Sequence, residues 1–436
     1  MDVKTTTTRI PLPYSDSVLS ECVVPTASLH HVYDLPRVLP IQDLDACIEH
    51  AIRNPIGTWQ LADIVSGKHR IAIIVDDLTR PTPAARILPV VMREIHRAGV
   101  HPSQITIVMA LGSHRKMTDA EIIHKIGVDA FNTYKVTQSH FDEPAHLRSI
   151  GTSADGVEIF IDEEVASADV KIGIGSIVPH GAVGWSGGGK IIYPGVAGKT
   201  TVTQFHFTHG LTEANLTGMD ETSVRDRMEA WVDIVGLDFI VNSILTPDEE
   251  VYDVVAGHFK QAHRVGVLKA HDAYLVEYDT QSDVAIAVSY PHDHDFWQAG
   301  KGFYCAESMV KDGGHVILVT PCPEGVGVHA MYPVLIGRDD NVERIRAILR
   351  GEETMPADPL PLAPAAMMKR IRGRLTLHIV SPGIEHDLMQ AAGIIVHPSI
   401  QAAIDHVLTL NPKAIISVVR SAELYFQKKE EVNVTE

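Results

Sequence analysis

The sequence predicts an α/β fold, arranged as two α/β domains with mainly parallel or mixed sheets. Three observations carry this. Short, almost wholly apolar runs such as 69–75 (HRIAIIV) have the pattern of strands buried on both faces. Each is followed by a polar turn and then by a segment with helical spacing, and the unit repeats. After a break around 269–281 the same pattern starts again.

In chain order, residues 5–24 are β-rich and punctuated by proline. Residues 44–52 carry apolar side chains at helical spacing. The strand 69–75 runs into the turn Asp76-Asp77-Leu78-Thr79-Arg80-Pro81, and a helix is expected over 84–98. A strand over 104–111 leads to Gly112-Ser113-His114-Arg115 and to a helix opening near Thr118. Residues 170–177 form another buried strand, followed by a glycine-rich segment. Strands are expected at 239–245 and 250–255. In the second half, strands fall at 284–289, 315–320, 375–380, 393–396 and 414–419, with a helix over 296–310 and a proline-rich stretch over 356–364. The expected division is 1–275 and 276–436. Ligands of such sheets bind at the carboxyl ends of the strands, so the polar turns are the first candidates for a site.

Composition narrows the function. Asp and Glu total 55 against 37 Lys and Arg, a net charge of −18 in 436 residues. Such a surface lacks the basic stripe of a nucleic-acid binder, yet a few cations in one cleft can still hold a small anion. Four cysteines without C-x-x-C spacing fit a reducing cytoplasm, the expected location. The first 16 residues show no apolar core of a signal peptide, and no apolar run reaches 18 residues, so neither export nor membrane insertion is expected. The 24 histidines are the compositional oddity, because histidine is the usual proton shuttle and a common metal ligand.

The segment 179–200 (PHGAVGWSGGGKIIYPGVAGKT) is the richest in motifs. A phosphate-binding P-loop needs G-x-x-x-x-G-K-[ST]. Gly184 to Lys190 lacks the final hydroxyl, since Ile191 follows. Lys199-Thr200 has it but lacks the first glycine, since Tyr193 stands there. A nucleoside triphosphatase is therefore disfavoured. Gly187, Gly188 and Gly189 would let backbone approach a ligand, with Lys190 able to reach it; a mobile surface loop is the plain alternative. His114 and His180 each follow a buried strand. They could be caps, or they could converge to move protons on both faces of one stereocentre, as a racemase requires. His206 and His209 have the spacing of a shared metal site or of mere coincidence. Asp77 and Arg80 could form a local salt bridge, or Arg80 could fork onto a carboxylate or phosphate. Gln298 and Lys301, beside Phe296 and Trp297, could be a solvated helix face or a second anion clamp.

Taken together, the stretches DDLTRPTP (76–83), LGSHRKMT (111–118), PHGAVGWSGGGKIIYPG (179–195), His206 and YPHDHDFWQAGK (290–301) resemble the nickel-dependent lactate racemase family of 2-hydroxyacid racemases and epimerases. They occur in order over about half the chain. Ten residues separate His180 from Lys190, and sixteen separate Lys190 from His206, as in the family pattern.

The resemblance implies an active site in the cleft between the domains. It also implies a nickel-pincer nucleotide, a Ni(II)-pyridinium-3,5-bisthiocarboxylate mononucleotide. By position Lys190 is its covalent attachment, with Lys199 the next candidate, and Gly188 and Gly189 border it. His206 is the protein ligand of nickel. One imidazole beside one carbon and two sulfurs would complete a square plane. His114 and His180 are the paired acid/base groups. Asp77, Thr79 and Arg80 match the turn that contacts cofactor and substrate. Trp297, Gln298 and Lys301 match the substrate-binding stretch, with Arg80 and Lys301 fixing the carboxylate. Hydride would leave the substrate carbon for the cofactor and return to the other face, while the histidines handle the hydroxyl proton.

One departure stands out. Trp297 occupies the position of a tyrosine, which removes a phenolic hydroxyl and adds bulk, and His292 and His294 add polar character if they face inward. The expected substrate is therefore a 2-hydroxy acid other than lactate, such as a dicarboxylate, an aromatic acid or a sugar acid. Expected partners are that small molecule and cofactor-synthesis proteins, with no nucleic acid and no membrane; a homo-oligomer is compatible. The rivals are a non-catalytic cofactor-binding protein of the same fold and a histidine-metal hydrolase using His206 and His209. The latter needs a third ligand and an open water position, and no H-E-x-x-H is present.

Overall fold

The computed structural model describes residues 6–14, 20–212 and 214–429. Of the β-rich opening expected over 5–24, residues 5 and 15–19 lie outside them. The chain forms two compact units, each built on its own sheet. The chain passes from one to the other within the helix Lys199–Gly210.

The first unit comprises residues 37–205 and 219–273. Its six-stranded sheet runs, edge to edge, Val251–Gly257, Phe239–Leu245, Val170–Ser176, Ile71–Asp76, Ile105–Ala110 and Lys135–Gln138. All neighbours are parallel except the Val251–Gly257 edge. Ile71 to Val75 are buried without a break, as a strand with helices on both faces must be. The helix Ala84–Arg97 turns Ile87, Leu88, Val91 and Ile95 inward at helical spacing. The helix Asp119–Ile126 opens on a capping box, with the Thr118 hydroxyl accepting from Glu121 N–H and the Glu121 carboxylate accepting from Thr118 N–H.

The second unit holds the described residues up to 36, residues 206–218 and the chain from 274 onward. Its sheet is parallel throughout, in the order Ile395–Val396, Thr376–Val380, Val310–Val319, Ser282–Val288, Ile416–Val419 and Leu29–Tyr33. This division differs from a continuous 1–275 domain at two places. The strand Leu29–Tyr33 forms the sheet edge against Ile416–Val419, and the hairpin of Thr7–Leu12 and Ser20–Pro25 buries Ile10, Leu12, Cys22 and Val24 with Ile400, Ile404 and Val407. Phe207 lies in the core of this unit, and Gly210 packs so closely on Ala363 that a Cβ would stand 2.8 Å from its Cα. Among the described residues, no helix is long and apolar enough to cross a membrane.

Candidate active site

Three adjacent parallel strands of the first unit end in the three histidine- or acid-bearing segments. Ile71–Asp76 lies between Ile105–Ala110 and Val170–Ser176 in the sheet, so their carboxyl ends bring residues 77–80, His114 and His180 to one edge of the unit.

The turn after Ile71–Asp76 is braced from below. The Asp76 carboxylate takes the buried Lys125 ammonium at 2.9 Å and the Thr82 hydroxyl at 2.5 Å, while Lys125 also donates to the Arg80 carbonyl at 2.7 Å. Asp77 is 4% exposed. Its Oδ1 accepts from the Thr79 amide at 3.0 Å and the Thr79 hydroxyl at 2.6 Å. Its Oδ2 lies 2.5 Å from His114 Nδ1. Burial raises the Asp77 carboxyl pKa, but the His114 ring, Arg80 and Thr79 outweigh this and hold it well below the ordinary value. Asp77 thus stays ionised and pairs with His114 rather than with Arg80. With Nδ1–H donated to Asp77, the neutral His114 ring presents its lone pair at Nε2.

His180 is set differently. It lies on the two-residue ladder Pro179–His180 with Gly184–Trp185, paired with Gly184. Ser186 ties that ladder to the end of Val170–Ser176, its hydroxyl accepting from Val178 N–H at 2.9 Å and donating to the Ser176 carbonyl at 2.7 Å. The Ala182 amide donates to His180 Nδ1 at 3.1 Å. The neutral ring therefore carries its hydrogen on Nε2, the opposite of His114.

The glycine triplet is demanded by protein beneath it. A Cβ on Gly188 would meet His263 at 2.9 Å, and one on Gly189 would meet Val232 at 2.9 Å. Gly187 and Gly188 also adopt φ of +75° and +57°, where a side chain is strained. The side a Cβ would take is thus filled by the molecule's own side chains, and Gly188 and Gly189 are buried. Gly188 N–H donates to Asn242 Oδ1 at 2.8 Å, and His263 Nε2 contacts the Ser186 carbonyl at 2.8 Å. The fully buried Arg225 donates to the carbonyls of Val183 and Trp185. Gly112 N–H donates to the Gly195 carbonyl at 2.9 Å, which joins the His114 turn to this segment.

Lys190 sits on the short 3-10 turn Gly188–Ile191 and keeps partial exposure. Desolvation of its amine, helped by the guanidinium groups of Arg80 and Arg225, pulls its pKa down to about 7. Lys199 lies at the start of the helix Lys199–Gly210.

In the second unit, His206 is half-buried on that helix, and His209 is buried. The expected helix over 296–310 is two short pieces, Phe296–Ala299 and Lys301–Glu307, on either side of Gly300. Asp295 caps the first, accepting from Gln298 N–H at 2.8 Å. Gln298 and Lys301 are half-buried. The Trp297 ring packs against His329, tilted by 51° with centres 4.2 Å apart, and meets the edge of Tyr332 at 5.1 Å. His292 is buried 3.3 Å from the Glu423 carboxylate, and His294 is exposed. His292 therefore serves its own unit's interior.

Sequence reasoning missed the supports: Lys125, Arg225, Asn242 and His263. Only Asn242 left a signal, as a polar residue inside the apolar run FIVNSIL.

Residues 14–218 match the family described as the lactate racemase N-terminal domain, and 278–421 match the lactate racemase C-terminal domain. A lactate racemase of Lactiplantibacillus plantarum is 29% identical over 350 residues, 78% of this chain and 81% of that protein. A lactate racemase of Thermoanaerobacterium thermosaccharolyticum is 30% identical over 315 residues, 71% and 74% of the two chains. Among solved structures, the lactate racemase apoprotein of that organism superposes with a TM-score of 0.84 at 24% identity, covering 96% of this chain and all of that one. A Thermotoga maritima protein shares the fold at a TM-score of 0.69 and 18% identity, covering 90% of this chain and all of its own. These relatives and the mixed α/β fold place the chain among isomerases of the racemase type. It belongs to the lactate racemase family.

Proposed function

We propose that this chain is a 2-hydroxyacid racemase or epimerase. It works by reversible hydride transfer with a nickel-pincer nucleotide tethered at Lys190, and its preferred substrate is not lactate. The observation that carries this reading is the opposed hydrogen-bond setting of His114 and His180 at the ends of the two strands that flank Ile71–Asp76, in the unit that also holds the desolvated Lys190 amine. A racemase needs two proton-transfer groups and no net consumption of protons, and this pair meets that requirement.

The residues present fit the cofactor. Lowering the amine pKa to about 7 raises its neutral fraction at physiological pH, the form that acts as a nucleophile in covalent attachment. Asp77, Thr79 and Arg80 would contact the bound cofactor, Gly188 and Gly189 border its attachment point, and His206 would ligate the nickel. When bound, the cofactor supplies a reversible acceptor for the hydride on the substrate's C2.

The protein groups do the rest. Arg80 and Lys301 hold the substrate carboxylate, so that only the reacting carbon reorients. His114 Nε2 takes the 2-hydroxyl proton, and the Asp77 carboxylate stabilises the imidazolium that forms. His180, in its imidazolium form, would protonate the substrate oxygen when the opposite configuration at C2 is formed. Loss of that proton from Nε2 leaves the hydrogen on Nδ1, so the contact with the Ala182 amide re-forms only after the ring exchanges tautomers. One conversion therefore moves one proton from His180 to His114, and the reverse conversion restores it. Because the Ala182 amide donates to His180 Nδ1, charging that ring requires this contact to open.

Trp297 supports a substrate other than lactate: an indole adjoins Gln298 and Lys301 where a phenolic hydroxyl is the family pattern. A dicarboxylate, an aromatic acid or a sugar acid fits the change. Cofactor-synthesis proteins are the proposed partners, and the cytoplasm the proposed location. Screening cofactor-loaded protein against single-enantiomer 2-hydroxy acids tests the reading. Stereochemical inversion at C2 of one acid, faster than of lactate, is the expected result. Inversion of lactate alone would overturn the substrate proposal, and inversion of none would overturn the activity.

A further inference from the structure

We propose that His140, Glu143 and His146 form a divalent-cation site of the zinc and nickel class, built from residues that the racemase chemistry leaves unused. The three offer two imidazole nitrogens and one carboxylate oxygen, all within 4.8 Å of one another. Among the described residues they are the one such group of three or more His, Cys, Asp or Glu side chains, and neither His206 nor His209 belongs to another.

The arrangement is that of a supported ligand set. The Asp162 carboxylate, 1% exposed, lies 2.9 Å from His140 Nδ1 and accepts the His140 amide at 3.0 Å. It therefore fixes the hydrogen of the neutral ring on Nδ1 and leaves Nε2 as a donor to a metal. A carboxylate behind a ligating histidine is the usual second support of such sites. The rings of His140 and His146 lie nearly parallel, 17° apart in plane and 4.1 Å between centres. Phe141 accepts from the Lys199 amide at 2.7 Å and His146 N–H donates to the Glu143 carbonyl at 2.9 Å, so the backbone carrying the donors is held at several points. Donors on one metal ion stand roughly 3–3.5 Å apart, given metal–ligand bonds of about 2.0–2.2 Å. The Glu143 and His146 side chains are 45% and 55% exposed and can turn by the ångström needed.

Two imidazoles and one carboxylate suit borderline first-row cations rather than magnesium or calcium. Three protein donors leave the remaining positions to water. A cavity of about 510 Å³ that includes Lys116, Gln138 and His140 in its lining gives access. The Lys116 ammonium lies 3.0 Å from Glu143 and is the cation that an incoming metal must displace.

The test is equilibrium dialysis of the full-length, cofactor-loaded protein against Zn²⁺, with metal counted per chain. One equivalent beyond the nickel is expected. His146→Gln and Glu143→Gln, both at exposed positions, should each weaken its binding at least tenfold, with circular dichroism unchanged. Lys116→Met should strengthen it. Lys190→Ala, which lacks the proposed tether, should keep this zinc, so failure of the racemase reading and failure of this site are separable. X-ray absorption should show imidazole nitrogen and oxygen neighbours at about 2.0–2.1 Å. Zinc isotherms identical in wild type, His146→Gln and Glu143→Gln would overturn the site, as would weaker binding in Lys116→Met.

Discussion

The turn after Ile71–Asp76 and the glycine-rich segment around Lys190 hold their reactive groups by opposite means. The first keeps charge. Asp77 is ionised, three hydrogen bonds saturate it, and Asp76 with Lys125 lies beneath. The second strips charge away. Packed glycines close the segment over His263 and Val232, and the Lys190 amine sits among guanidinium groups that discourage its protonation. Buried ions need partners, and at Lys190 burial together with Arg80 and Arg225 outweighs the carboxylates of Asp77 and Asp76, so the amine gives up its proton more readily. The same sheet edge thereby holds one histidine against an ionised carboxylate and a lysine amine of lowered pKa.

Breaking the histidines tests that contrast most severely. His114→Ala and His180→Ala should each lower interconversion in both directions by on the order of a hundred- to ten-thousand-fold, with nickel retained. A variant with near-wild-type kcat would remove its histidine from the mechanism.

Asp77→Asn keeps the shape of the turn and removes the charge. It should cost about ten- to a hundred-fold in kcat, as loss of an orienting carboxylate behind a functional histidine does. The loss should be larger for the direction in which His114 must become charged. Equal effects on both directions would mean that Asp77 only builds the turn.

Trp297→Tyr reaches into the second unit. It should shift the ratio of kcat/KM for lactate over the preferred acid by about tenfold toward lactate, the scale of one restored polar contact. A ratio constant within twofold would place the Trp297 ring, already packed against His329, outside the selection of substrate.

The Lys190 titration sharpens the comparison from the other side. In the chain made without cofactor, an amine-directed acylating reagent should label Lys190 with an apparent pKa of about 7. The unfolded amine titrates near 10.5, so between these values the unfolded chain binds more protons than the folded one. Lys190 therefore makes stability rise with pH over that window and lowers it below. Labelling that climbs only near pH 10 would show a solvated amine.

Much of this was legible in sequence. The strand expected at 239–245 is the strand Phe239–Leu245, because an uninterrupted apolar run has few alternatives. The placement of the N-terminal strand was not: Leu29–Tyr33 pairs with a strand more than 380 residues later, and no local pattern encodes that partner. The helix expected over 296–310 stops at Glu307 because the strand Val310–Val319 begins through the polar residues Lys311 to Gly314. Gly187 to Gly189 are packed on the side a Cβ would take, which the sequence cannot reveal, since it shows the missing side chains but not what fills their place. The abundance of histidine likewise says less about chemistry than its count suggests. His378 joins His315 at 3.0 Å and His397 at 2.9 Å in a buried line, and desolvation with its neighbours pushes its pKa down to about 3.

The central claim is that Lys190 carries the cofactor, and intact-mass measurement tests it directly. Protein produced together with the cofactor-synthesis proteins should gain one adduct of the nickel-pincer nucleotide, absent from Lys190→Ala. The same adduct on the Lys190→Ala chain would contradict the account and move the attachment to another lysine, Lys199 first.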